Sequence, residues 1–175
     1  MNLMIKYTKI MDIIQTAIAV PMKWGLFAFM TLIVLEVVLR YVFLAPTIWG
    51  LDFRQQMYAV LIMLGSAYTL MVKGHVIVDA FTMRASYKGQ RLIAISMWLI
   101  LYLPPMVVLT YTMSNLMFLA WRLMEGSGTI WNPPVYPLKT ILTIAYANMV
   151  LQGIAELFKD IISYQKGSDD WIKER

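Results

Sequence analysis

Two sets of polar residues stand inside the apolar sequence at helical spacing. Glu36 and Arg40 are four residues apart within a long apolar run, and Asn148, Gln152 and Glu156 recur every four residues within another. A carboxylate four residues before a guanidinium is the favourable order for an ion pair along one helix face. Each charge costs roughly 2.5–3.5 kcal/mol at the centre of a membrane-spanning helix. One reading is that the pair neutralises itself during insertion. The other, adopted here, is that both groups face a polar partner on another helix or subunit. The third candidate is His75 with Asp79, one turn apart, carrying the only histidine in the chain. A lone His–Asp pair lacks a nucleophile and further metal ligands, so it reads as structural. There is no cysteine, which removes disulfides, thiolate metal sites and cysteine nucleophiles. The serines have no histidine nearby in sequence, and the carboxylates are scattered. The sequence therefore predicts no enzyme, no catalytic residue, no bound metal and no cofactor.

Elements must hold these residues at depth, and composition says what kind. Of 175 residues, 60% are hydrophobic and 14% charged, with mean hydropathy +0.65. Soluble domains carry about 25% charged residues. The apolar residues lie in long blocks, which predicts an all-α integral membrane protein forming one domain over 1–175. Four transmembrane helices are expected at 22–44, 56–72, 92–121 and 138–158. Two amphipathic surface helices are expected at 1–20 and 75–90.

In the first surface helix Asn2, Lys6, Lys9, Asp12 and Thr16 share one half, and Leu3, Ile10, Met11, Ile14, Ala17 and Ile18 the other. Its lysines suit anionic headgroups. Pro21 is expected to separate it from the first span. No small-residue cleavage site follows it, so it does not read as a removed signal. In the second surface helix His75, Asp79, Thr82, Ser86 and Gln90 follow spacings of four and three.

The loop after the first span holds Pro46, Trp49, Gly50 and Asp52. Trp49 suits the membrane interface, and Asp52 suits the positive end of the next helix. Gly65-Ser66-Ala67 is a small patch that admits a close backbone. The third block is about 45 Å long as a helix, against ~30 Å of hydrocarbon. Pro104-Pro105 is expected to kink it, and Asn115 and Arg122 to mark its exit. The loop to the last span, GSGTIWNPPVYPLK, is broken by glycine and proline and is no phosphate loop. The tail from Lys159 on is expected to be solvated.

With the N-terminus inside, Lys6, Lys9, Lys23, Lys73, Arg84, Lys88, Arg91, Lys159, Lys166, Lys173 and Arg175 are cytoplasmic. Only Arg40, Arg54, Arg122 and Lys139 are outside. This asymmetry predicts both termini in the cytoplasm, and the net charge of +5 reads as topology rather than nucleic-acid binding.

A small four-helix membrane protein with polar faces has the profile of a subunit. The pattern Glu36-Arg40-Tyr41-Phe43, Trp49-Asp52, Leu64-Gly65-Ala67 and Gly74-His75-Asp79 resembles the small membrane subunit, DctQ type, of tripartite ATP-independent periplasmic (TRAP) transporters. The four-span plan covers nearly the whole chain, and the motifs about a quarter of it. One departure stands out: the family usually has W-x-E-E where this chain has Trp49-Gly50-Leu51-Asp52.

The resemblance implies a scaffold or anchor subunit in the bacterial inner membrane. It would sit beside a large multi-span subunit that carries the substrate and sodium sites. A periplasmic binding protein would deliver an organic acid, docking on loops 45–54 and 122–139. Trp131-Asn132-Pro133-Pro134 resembles a branch linked with small carboxylates or keto acids. The rival class is a haem-free membrane anchor of a redox complex, since two histidines for a b-type haem are lacking. A stand-alone exporter is a third class, in which Glu36 would couple protons, but Arg40 would neutralise it.

Overall fold

The computed structural model describes residues 2–72 and 86–169. Helix α1 spans Asn2–Tyr41 and α2 spans Gly50–Met71. Helix α3, Tyr87–Met97, leads without a break through a π turn at Trp98–Tyr102 into α4, Leu103–Leu123. Helix α5 spans Tyr136–Lys166. No strand occurs among the described residues; Gly126 and Pro134 form one isolated bridge in the loop between α4 and α5.

Three of these units are long and apolar enough to cross a membrane: α1, the continuous α3–α4 unit and α5. Helix α2 has 22 residues, enough length for a span, but Asp52, Arg54, Gln55 and Gln56 fill its first turns.

The boundary expected at Pro21 is absent, because α1 runs through it as one helix of 40 residues. An internal proline removes one backbone hydrogen bond, and membrane helices tolerate this where neighbours and local adjustment compensate. Such a helix is about 60 Å long, twice the hydrocarbon thickness. Its first half packs on α5 through Thr8, Met11, Gln15 and Ala19, a buried stripe at i, i+3, i+7 and i+11. The stripe crosses the polar–apolar division read from the sequence: Ile13 and Ile14 are exposed, and Gln15 is fully buried.

The second surface helix expected at 75–90 falls largely outside the described residues. Tyr87 to Gln90 instead begin α3, capped by the Ser86 hydroxyl, which accepts from the Gly89 N–H. The expected kink at Pro104-Pro105 takes the form of the π turn just before it. Neither proline has an N–H to give to the preceding turn. The helix widens there, with the Leu103 N–H reaching the Trp98 carbonyl.

Helix α5 is the axis of the bundle. It packs against α1, α2, α3 and α4 and buries Ala145, Gln152, Gly153, Ala155, Glu156 and Ile162. Small residues bring backbones together: Ala67 of α2, Ala120 of α4 and Ala145 and Ala155 of α5 are fully buried. In the Gly65-Ser66-Ala67 patch only Ala67 serves this purpose, since nothing approaches a methyl group built at Gly65. The close approach of α1 and α2 is at Gly25, where such a methyl would lie 2.8 Å from Leu61 Cδ2.

Candidate functional site: polar ties at both ends of the bundle

Where α1 ends and α2 begins, a buried carboxylate joins two helices and a loop. Glu36 is 4% exposed. It accepts hydrogen bonds from Thr47 Oγ1 at 2.5 Å and from Arg40 Nη2 at 3.3 Å. The helical spacing of Glu36 and Arg40 therefore makes the expected pair, but the shorter bond comes from Thr47 in the loop. Arg40 stays about half exposed. Gly50 closes over the carboxylate at the start of α2.

Two residues on, Asp52 is buried in the first turn of α2, where its charge meets the positive end of the helix dipole. It accepts a hydrogen bond from Thr129 Oγ1 in the loop between α4 and α5. That loop is shaped by its own bonds. Gly128 N–H donates to Asn132 Oδ1 at 2.9 Å, Ser127 N–H to the Pro133 carbonyl, and Lys139 to Glu125 at 2.5 Å. Trp121 Nε1 donates to Thr140 Oγ1, and its ring lies 4.4 Å from that of Tyr136. Trp49 packs edge-on against Phe53. In the departure from W-x-E-E, Leu51 points outward, 62% exposed, while Asp52 keeps a buried carboxylate.

At the opposite end, α1 and α5 run antiparallel and exchange polar groups. Gln15 and Asn148 form a reciprocal amide pair, 2.8 and 3.1 Å. Gln152 Nε2 donates to Glu156 at 2.9 Å. Lys159 bridges Glu156 at 2.5 Å and Asp12 at 2.8 Å. The stripe Asn148–Gln152–Glu156 thus turns inward, toward α1 of the same chain. Gln152 and Glu156 are buried, which leaves them no surface to offer a second subunit.

Of the tail expected to be solvated, residues 164–167 are exposed, but its first residues are not. Lys159, Asp160 and Ser163 are buried, because α5 continues to Lys166 and α1 and α3 pack on it. Asp160 accepts from Arg91 at 2.6 Å and from the Trp98 indole at 2.9 Å. Arg91 also pairs with Asp169, which accepts from the Tyr87 hydroxyl. The sequence reading missed Asp12, Gln15, Arg91 and Lys159 as partners. The one available signal was Gln15 in the i, i+3, i+7 stripe of the first helix. His75 and Asp79 lie outside the described residues.

This chemistry is that of packing and orientation. Among the described residues no three of histidine, cysteine, aspartate and glutamate come together to hold a metal ion. Buried carboxylates meet cations, hydroxyls, an amide or an indole, so their cost in an apolar medium is offset by defined partners.

Long apolar helices on a central helix, tied by buried polar groups at each end, define an all-helical membrane protein. Residues 29–162 match the family model "Tripartite ATP-independent periplasmic transporters, DctQ component". The match covers well over half of the chain, and the chain belongs to this family: it is a DctQ-type small membrane subunit of a TRAP transporter. A search of the curated proteins gives no match.

Proposed function

We propose that this protein is the scaffold subunit of a sodium-coupled TRAP transporter that imports an organic acid. It anchors a large multi-span subunit in the bacterial inner membrane, with α2 as a fourth span and both termini in the cytoplasm. The lysine and arginine distribution supports this orientation. The large subunit carries substrate and sodium, and this chain holds neither. The loops 42–49 and 124–135 face a periplasmic binding protein that delivers the solute.

The observation that carries the reading is the inward closure of the polar groups, joined to the family match. Glu36, Asp52, Asn148 and Glu156 are occupied by partners in the same chain. They tie the helices of the bundle to one another, as a scaffold requires.

Reconstituted vesicles test the proposal. This chain with its large subunit, a sodium gradient and the binding protein loaded with an organic acid should give uptake that requires all four components. Full uptake without this chain, or a haem Soret band in the purified complex, would overturn it.

A further inference from the structure

The helical hydroxyls of this chain are generally satisfied within their own helix. Thr16, Thr31, Ser66, Thr69, Thr110, Ser114, Thr140 and Thr143 each donate to a carbonyl one turn back. A stripe on α4 breaks this pattern. Thr112 and Asn115 are exposed and make no hydrogen bond among the described residues, and Tyr111 beside them is 69% exposed. Arg122 continues the stripe to the end of α4, exposed and without an ion pair among the described residues.

Tyr111, Asn115 and Arg122 lie within about 40° of one another around the helix, at 100° per residue, and Thr112 flanks them about 60° from Asn115. Ala120, buried against α5, is on the far side. The stripe therefore points away from the rest of the chain.

Depth makes these groups costly. Trp121 and Tyr136 pack against each other near the end of α4 and mark an interfacial aromatic level. Asn115 is six residues earlier, about 9 Å deeper, and Tyr111 about 15 Å deeper. An amide facing hydrocarbon without a partner is unfavourable, whereas a hydrogen bond to a neighbouring helix stabilises association. The exposed face of α1 offers the contrast. Leu26, Phe27, Met30, Val34 and Val38 are apolar, and Thr31 is satisfied by the Phe27 carbonyl. That face suits lipid.

We infer that the Tyr111–Thr112–Asn115–Arg122 stripe of α4 is the face that receives a membrane helix of the large subunit. That helix presents a hydrogen-bonding group level with Asn115 and a carboxylate level with Arg122. The inference rests on the scaffold reading above and assigns its interface. The amide left on Asn115 at that depth is complementary to such a helix and not to acyl chains, and the charge on Arg122, level with Trp121, suits a carboxylate at the end of that helix.

Photo-crosslinking in membranes tests it. With p-benzoylphenylalanine placed at Thr112 or at Val34, the adduct with the co-expressed large subunit should form from position 112 and not from 34. Asn115→Leu should lower recovery of the large subunit at least threefold while the helical circular dichroism of the chain is unchanged, and Val34→Leu should not lower it. An adduct from 34 alone, an adduct from 112 with only a second copy of this chain, or an intact complex giving no adduct from 112 would each overturn the inference and leave the scaffold reading standing. Failure of the two subunits to co-purify in the unsubstituted form would overturn both.

Discussion

Gly50 lies directly against the carboxylate of Glu36. A methyl group at Gly50 would come within 2.6 Å of Glu36 Oε2 and 2.3 Å of Thr47 Oγ1. The space between α1 and α2 at this end is therefore set by a hydrogen-bonded carboxylate that cannot retreat without losing Thr47. Gly50→Ala should destabilise by about 1–3 kcal/mol through overpacking. Thermal melting in detergent checks this, and Gly50→Ala combined with Glu36→Ala should melt above Gly50→Ala alone.

Arg40 contributes less to folding than its spacing suggests, because it is half exposed and holds Glu36 at 3.3 Å. Arg40→Ala should leave melting within a few degrees of the unsubstituted chain. As Arg40 keeps about half its surface exposed, open to the partner expected of it from the sequence, the same substitution should reduce co-purification and lower vesicle uptake. Unchanged assembly together with unchanged uptake would count against that placement.

Asp52 and Thr129 join α2 to the loop between α4 and α5 across 77 residues of sequence. A hydrogen bond to a charged group contributes roughly 1.5–3 kcal/mol; with Thr129 at the surface, about 1 kcal/mol is expected. Asp52→Asn, Thr129→Val and the double variant should be non-additive by that amount. Binding-protein affinity should fall in all three, since the bond fixes the loop that is read as the docking face.

Lys159 is buried between Asp12 and Glu156. Lys159→Met leaves two carboxylates without their cation and should cost about 3–5 kcal/mol, as breaking a buried pair does. The triple replacement Asp12→Asn, Glu156→Gln, Lys159→Met removes every charge and should recover most of the loss. The melting temperatures of the two variants decide the matter.

Tyr102 closes the π turn on the backbone of α5. Its hydroxyl donates to the Met149 carbonyl, and a methyl at Gly153 would meet its ring at 2.4 Å. Gly153→Ala should destabilise by about 1–3 kcal/mol. Tyr102→Leu should relieve that penalty while losing the hydrogen bond, so the double variant should melt higher than Gly153→Ala.

The sequence by itself determined the class of this protein and most of its helices. Apolar blocks of spanning length and a four-residue Glu–Arg spacing depend only on local chemistry, and both are legible along the chain. The four-residue stripe Asn148–Gln152–Glu156 was equally legible as a helix face, but its direction was not. Whether a polar face turns toward a neighbour in the same chain or toward another protein depends on which helix lies opposite. Gln15 and Asn148 are 133 residues apart, and Asp12 and Lys159 are 147 apart. Only the antiparallel docking of α1 on α5 decided those pairs. The same docking drew Lys159 out of the expected tail, Arg91 and Trp98 did so for Asp160, and α1 runs unbroken through Pro21. A proline's local cost and a charge's preference for water are each about the size of what packing supplies, so packing decided.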